Sequence, residues 1–510
     1  MAKVVAVAPG RRWDSLLLWG FLGSLALIRS GHLEERDPYW QIRAGLESLA
    51  GAPLVRPDTW TWSGVQGNWY PNSPLWNILL GLSYQLAGVW GFFLLSATTM
   101  VILFVLVTLL ARRLGSRPLP GLLGLLVAFA AAYSMLNARA TLLVQVLLLF
   151  AIYVALRLSD HAPLVSPLAF NTVVFTTALG LSTLGNSVHL SFLLLAPALT
   201  AVWALIWFLT PGLTTARRLA LSLGGGTGWM LGTLLSPYGL ALGLARSRAV
   251  QEACQGIITE WSSPFAQGLP TQIAVISSLM LAGVLLLATA TVVLIRRRWR
   301  AGRPVRDLAA LALVGVPTAL AGALAIRFLG VGLLIFAPVA AALATSGVDR
   351  LRARLVDWPP SARLRARLQE YSSGRFWRIV LTGTLVVLSP GVVFLAAQHG
   401  EPAERTLAAR LPAQCHLFSS PGIGGAIELL RPDVPVWMDG RADFFGRDVL
   451  VFSSAYYGGS APEVAPSGTT CVLLDSTDGL TSGLEGRLQA SPAWHLDATD
   501  GKFKLWLPAG

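Results

Sequence analysis

Pro74-Leu-Trp-Asn-Ile-Leu-Leu-Gly-Leu-Ser-Tyr-Gln-Leu-Ala-Gly88 is the stretch on which the architecture turns. It is apolar and carries no charge. As a helix of fifteen residues it would run about 22 Å at ~1.5 Å per residue. That falls short of the ~30 Å hydrocarbon core of a bilayer, so the stretch is expected to lie on the membrane surface. Eleven other apolar runs are expected to span, near 14–30, 90–111, 119–135, 141–158, 168–184, 189–209, 219–235, 272–295, 307–325, 329–346 and 378–397. With the N-terminus in the cytoplasm, the inner segments are 1–13, 112–118, 159–167, 210–218, 296–306 and 347–377. Together with the flanking Arg157 and Arg378 they hold 23 of the 39 lysines and arginines. Another eight lie in the C-terminal region, so the outer connections carry few, as the positive-inside rule requires. Counting 74–88 as a twelfth span would move Arg112, Arg113, Arg117, Arg217, Arg218 and Arg296–Arg298 outside.

Composition agrees. Hydrophobic residues make up 54% and charged residues 13%, with a mean hydropathy of +0.60, whereas a soluble domain carries about 25% charged residues. The net charge of +13 sits in short connections between apolar runs. That is how a membrane protein sets its orientation, so no nucleic-acid partner is expected. Ser15–Ile28 follows Lys3, Arg11 and Arg12, and no small-residue cleavage site comes after it. A retained first span is expected rather than a signal peptide.

From about residue 398 the composition changes. Val434–Met438 and Thr470–Leu474 are strand-like and alternate with Gly-rich turns such as Gly422–Gly425. The expected fold is an all-α polytopic membrane domain over 1–397, of about eleven spanning helices, and a small α/β extracytoplasmic domain over 398–510. Cys415 and Cys471 each adjoin a strand-like run. They could pair in an oxidising compartment or remain buried thiols. No CxxC spacing exists, so no zinc site is expected. Gly224–Gly226 falls inside a span and suggests close helix packing.

The outer face then collects the loop 31–73, the turns at 137–141 and 185–189, the loop 236–271, the turn at Arg327 and the C-terminal domain. In the first loop Glu34, Glu35 and Asp37 fall within four positions, in a chain with only 26 acidic residues. A carboxylate beside the bilayer can act as a general base towards an acceptor hydroxyl. Asp37 with Glu35 could also hold a divalent cation, Mg or Mn, through hard oxygen ligands. The simpler reading is that these acids balance Arg29, Arg36 and Arg43. Trp40, Trp60, Trp62, Trp69, Tyr70 and Trp76 are expected mostly as an interfacial belt, with stacking on sugar rings as the alternative. Arg139, Asn186, His189, Glu260, Trp261 and Arg327 fall on the same outer face. Two arginines converging there would clamp a phosphate, although an arginine at a span end usually snorkels to the interface. There is no GxxxxGK[ST], GxSxG or HExxH motif.

Several elements in order resemble a bacterial group of GT-C-type membrane proteins. They are Asp37-Pro-Tyr-Trp-Gln-Ile-Arg-Ala-Gly45, Pro57-Asp-Thr-Trp-Thr-Trp62, Asn186-Ser-Val-His189, Ser236-Pro-Tyr-Gly239, Glu260-Trp261, Arg327-Phe328 and Met438-Asp-Gly-Arg-Ala-Asp443. The resemblance implies a glycosyltransferase of the bacterial inner membrane that takes a sugar from a polyprenyl-phosphate donor. The sugar would go to an extracytoplasmic glycan, lipid or protein hydroxyl. Asp37 stands at the position of the group's first-loop acid, as base or metal contact. Gln41 and Asn72 depart from the pattern, which often has histidines there. A non-catalytic scaffold or lipid-binding component of the same architecture is the alternative. A secondary transporter is disfavoured, because its ionisable groups would gather near the bilayer midplane.

Overall fold

The computed structural model describes residues 9–31, 36–133, 136–162, 166–357, 404–509 and short pieces between 378 and 389. Glu34, Glu35 and most of the expected span 378–397 lie outside the described residues. Helices coincide with the other expected spans: α1 (Pro9–Gly31), α3 (Pro74–Arg113), α4 (Pro118–Ala132), α5 (Ala140–His161), α6 (Pro167–Val188), α7 (Phe192–Phe208) and α8 (Thr215–Leu234). The series continues with α10 (Thr271–Arg300), α11 (Arg306–Ala321) and α12 (Arg327–Asp357). Five of the described helices, α3, α5, α6, α10 and α12, are long and apolar enough to cross a membrane. The chain is a membrane protein by this measure.

The stretch 74–88 forms the first part of α3, and the helix breaks at its end. Ala87 and Gly88 are non-helical, and Gly88 takes φ 56°, a conformation that only glycine enters without cost. Beyond the break the chain turns back on itself. A Cβ on Gly91 would lie 1.7 Å from the carbonyl oxygen of Ser83. A short helix, α2 (Asp37–Leu49), packs on this first segment. The crossing is close because both helices offer glycine. A Cβ on Gly45 would meet Asn77 O at 1.9 Å, and one on Gly81 would meet Gly45 C at 2.6 Å.

One apolar core runs through the helix bundle, and its largest buried side chains include Trp203, Trp207 and Trp229. The tightest α6–α8 contact is at Gly228 and Gly232, where a Cβ would meet Phe175 O at 2.5 Å and Leu179 O at 2.6 Å. The Gly224–Gly226 run packs more loosely, against Asn171, Trp203 and Thr200. Closest approach therefore falls one turn beyond the expected place. Leu223, Leu279 and Leu286 point outward, about 70% exposed, as lipid-facing residues do. At the end of the bundle that holds the C-termini of α3 and α5, Arg113 bonds Asp160 at 2.8 Å and Asp307 at 2.9 Å, and Arg306 bonds Asp160 at 2.6 Å.

Loop 236–271 holds a helix that sequence did not suggest, α9 (Gly239–Cys254). Its end packs into the C-terminal domain, where Ala253 joins the core. That domain carries a four-stranded sheet in the order β3 (Leu417–Ser419), β4 (Cys471–Asp475), β6 (Phe503–Pro508), β5 (Trp494–Asp500). β3 and β4 run parallel, and the other pairs run antiparallel. Helices α13 (Arg405–Ala408), α14 (Pro421–Leu430), α15 (Ala442–Tyr457) and α16 (Ser482–Ala490) surround it. Cys415 and Cys471 form a disulfide, with their Cα atoms 6.1 Å apart.

The first loop joins this sheet. Besides its own small ribbon, β1 (Arg56–Pro57) with β2 (Asn68–Trp69), it pairs with the segment ahead of Met438. Val436 N donates to Trp60 O, and Trp62 N donates to Val436 O, at 3.1 and 3.0 Å. Trp437 N in turn donates to Leu417 O at 2.7 Å. Main-chain hydrogen bonds thus run from the first loop through 436–437 into β3.

Candidate active site

Pro38 occupies the first turn of α2, where its fixed φ suits the helix start and its missing N–H costs nothing. Asp37 therefore begins the helix, with its negative charge at the positive end of the helix dipole. Arg139 is the residue before α5, Arg327 opens α12, and Glu260 lies in a 3-10 turn, Thr259–Trp261. All four groups stand at helix ends on the same end of the bundle.

They meet in an alternating chain of charge. Arg139 Nη2 lies 2.9 Å from Asp37 Oδ2, and its Nη1 lies 3.4 Å from Glu260 Oε2. Arg327 Nη1 is 3.7 Å from Glu260 Oε1, and its guanidinium sits 4.0 Å over the ring of Trp261. Trp40 Nε1 donates to Asp37 Oδ1 at 3.4 Å. The connections bearing these residues are clamped together. Leu190 N donates to Asn72 O at 2.8 Å, Tyr238 OH to Pro71 O at 2.7 Å, and Ile326 N to Ser262 O at 3.0 Å.

Asp37, Arg139 and Glu260 are each roughly a quarter to a third exposed. Ion pairs at that exposure contribute about 0–1 kcal/mol each. An incoming anion can therefore exchange with Glu260 on Arg139 at small cost.

His189 stands in the connection between α6 and α7. Desolvation pushes its pKa down to about 3, with Arg327 and Arg139 adding to the effect. Its Nδ1 accepts from Ser191 N at 2.9 Å, so the neutral ring carries its hydrogen on Nε2. Asn186 is engaged elsewhere. It is fully buried, and its amide donates to Ser182 O within α6 at 2.8 Å. Trp261 turns one ring face to Arg327. Glu35 lies outside the described residues.

Of the two carboxylates expected to hold a cation, Asp37 is among the described residues and Glu35 is not. No group of three or more His, Cys, Asp or Glu side chains among the described residues is arranged for a metal. The oxygens of Asp37 and Glu260 are turned to guanidinium and indole N–H donors.

The belt expectation for the first-loop tryptophans does not hold. Trp40, Trp60, Trp69 and Trp76 are at most 3% exposed. Trp60 and Trp69 pack against three guanidinium groups: Arg43 lies over Trp60, and Arg56 and Arg441 lie over both. Trp62 stacks on His416 of the C-terminal domain, with ring centres 5.0 Å apart. Desolvated cation–π contacts and apolar burial hold these rings inside rather than at an interface.

Arg441, which sequence reading left without a role, is the centre of a second charge cluster. It is fully buried, 2.8 Å from Asp58 and 2.6 Å from Asp439, with Glu428 at 4.0 Å. Burial opposes its charge, but the carboxylates of Asp439, Glu428 and Asp58 outweigh burial and hold its pKa up. Burial and the neighbouring Asp439 push the Glu428 pKa well above the ordinary carboxylate range. The signal was present in sequence as Met438-Asp-Gly-Arg-Ala-Asp443, but its partner Asp58 lies far away in the chain.

The fold has solved counterparts. The chain is similar to AglB, the oligosaccharyltransferase of Archaeoglobus fulgidus, whose structure contains an inhibitory peptide and a dolichol-phosphate. The TM-score is 0.57 at 12% identity, over 91% of this chain and 69% of that one. It is also similar to ArnT from Cupriavidus metallidurans bound to undecaprenyl phosphate, with a TM-score of 0.51 at 14% identity over 97% of each chain. This chain has the GT-C fold. The likeness is one of fold, not of sequence: no family model and no curated protein matches. Within that fold, the Asp37–Arg139–Glu260–Arg327 chain is a charged cluster at one end of the bundle.

Proposed function

We propose that this chain is a membrane glycosyltransferase that moves a sugar from a polyprenyl-phosphate donor to an extracytoplasmic hydroxyl on a glycan, lipid or protein. The observation that carries the reading is the placement of Asp37 against Arg139, with Arg327 one carboxylate further on. A base and two phosphate-binding guanidiniums then share one open cluster. Two solved GT-C proteins that hold polyprenyl-type phosphates support the donor class.

In the proposed step the acceptor oxygen attacks the anomeric carbon and Asp37 takes its proton. The bond between that carbon and the phosphate oxygen breaks on the opposite face, so configuration inverts. Arg139 and Arg327 stabilise the departing phosphate, displacing Glu260 as they do so. Neutral His189 lends a hydrogen-bond donor without adding positive charge.

The topology belongs to the same proposal: about eleven spans, an inner-membrane location in bacteria, the N-terminus in the cytoplasm and the domain from 398 outside. The Cys415–Cys471 disulfide supports an oxidising compartment for that domain. The test is transfer of labelled sugar from a polyprenyl-phosphate donor by the purified chain. Asp37→Asn is expected to lower the rate at least a hundredfold. Full activity in that variant would remove Asp37 from the mechanism. Absence of transfer by the native chain with every donor, alongside retained polyprenyl-phosphate binding, would favour a lipid-binding scaffold instead.

A further inference from the structure

The C-terminal domain touches the N-terminal turn of α2 at three residues, Arg36, Asp37 and Trp40. Arg36, the residue before Asp37, forms ion pairs with Glu404 and Asp475, and its guanidinium lies 5.2 Å from the ring centre of Phe503. The start of α14 packs on the same turn without side chains. A Cβ on Gly422 would meet Arg36 Cδ at 3.2 Å, and one on Gly425 would meet Trp40 Cδ1 at 3.2 Å. Closest of all is Gly440. A Cβ there would lie 2.2 Å from Asp37 Oδ1 and 2.7 Å from Trp40 Nε1.

Gly440 sits between Asp439 and Arg441, both buried and bonded to each other. Gly424 holds the preceding segment from behind, since a Cβ there would meet Met438 O at 2.2 Å. The backbone at 440 is thus fixed from within its own domain, while its open side faces the carboxylate.

We propose that Asp439-Gly440-Arg441 is a positioning element for Asp37, so that the C-terminal domain forms one wall of the active site. This rests on the reading of Asp37 as the base. Asp37 Oδ2 is held by Arg139 and Oδ1 by Trp40, and Gly440 backs the Oδ1 side while the carboxylate stays about a quarter exposed. An added methyl at 440 meets the far end of one flexible side chain and an indole edge, and no backbone atom stands among its nearest neighbours. The carboxylate yields before the fold does.

The experiment uses the full chain. Gly440→Ala is made alone and in an Asp37→Cys, Cys254→Ser background, where the thiol introduced at position 37 is the only one outside the disulfide. The rate at which a methanethiosulfonate reagent modifies that thiol reports its position independently of activity. Gly440→Ala is expected to change that rate at least tenfold. In the chain with native Asp37 it is expected to lower kcat at least tenfold, with the donor KM within threefold and the melting temperature nearly unchanged. An unchanged modification rate together with unchanged kcat would overturn the proposal.

Gly425→Ala is the gentler probe should Gly440→Ala fail to yield folded protein. Its contact with Trp40 asks for a shift of a few tenths of an ångström, and a smaller change in the reactivity of the introduced thiol is expected. No change there would equally count against the proposal. A changed modification rate, in a chain whose Asp37→Asn variant retains full transfer, would uphold the positioning and sink the catalytic reading alone.

Discussion

Arg441 Nη2 lies 2.8 Å from Asp58 Oδ1, and neither side chain is more than 4% exposed. One residue belongs to the C-terminal domain and the other to the first loop. A charge buried this deeply is tolerated only with its partners in place. Removing one partner of such a pair costs about 3–5 kcal/mol, because the other charge stays behind. Arg441→Ala is therefore expected to lower the melting temperature sharply and to open the first loop to protease. Arg441→Lys is expected to rescue little, since a lysine cannot reproduce the planar contact with Trp60 and Trp69. Wild-type melting in either variant would show that the cluster is not the clamp.

Burial and Asp439 favour the protonated form of Glu428 in that cluster, so its substitution should behave differently. Glu428→Gln keeps the shape of the side chain and is expected to change stability by less than about 1 kcal/mol. Equal damage from Glu428→Gln and Arg441→Ala would mean that Glu428 is ionised in the folded protein. Thermal melting of the two variants side by side makes the comparison.

Asp443 gives a pH dependence with a definite sign. Burial is the chief cause that raises its pKa from 3.8 to about 6. Between those two values the folded chain keeps a proton that the unfolded chain has released. Its contribution to stability is present in full below 3.8, is lost as pH rises through 6, and is level above that. Asp443→Asn should flatten the melting profile between about pH 4 and 6 and should not lower stability above that range. A steeper loss in the variant as pH rises would contradict this.

Arg327 tests the phosphate clamp. Arg327→Ala is expected to raise the donor KM at least tenfold, because a charge-assisted contact to phosphate contributes about 1.5–3 kcal/mol. Arg327→Lys keeps the charge but loses the fork, and an intermediate value is expected. Unchanged KM in both variants would place the phosphate elsewhere.

The Cys415–Cys471 crosslink closes a loop with a sequence separation of 56. A loop of that length is expected to stabilise the domain by up to about 4 kcal/mol through restriction of the unfolded chain. Replacing both cysteines with serine should lower the melting temperature of the C-terminal domain and leave detergent-solubilised helices intact by circular dichroism. An unchanged melt would show that the domain is held by its packing against the first loop instead.

Helix positions were legible in the sequence because membrane insertion depends on local sums. A run of apolar residues is a one-dimensional property. Helices α1, α3 to α8 and α10 to α12 coincide with such runs, and five of them are long and apolar enough to cross a membrane. The separateness of 74–88 was legible too, since it is too short to cross the bilayer and counting it as a span would put the arginine clusters outside. Helix α9 was not. Its alternation of small, apolar and charged residues gives a weak pattern, and it is held by the C-terminal domain rather than by its own periodicity. The tryptophans of the first loop misled for a related reason. An aromatic near a membrane is usually interfacial, and only the arrival of Arg56, Arg441 and the sheet around Val436 takes these rings inside.

By itself the sequence determined a polytopic helical protein with a distinct C-terminal domain, and it singled out Asp37, Arg139, Glu260 and Arg327 as polar residues at helix ends. Hydropathy and charge suffice for that, because they act segment by segment. Tertiary structure alone decided that the four form one alternating chain of charge, that Asn186 stays inside its helix, and that Gly440 rests on Asp37. Such contacts join residues tens to hundreds of positions apart. Their geometry follows from close packing of glycines and burial of guanidiniums, and neither leaves a periodic trace in the chain.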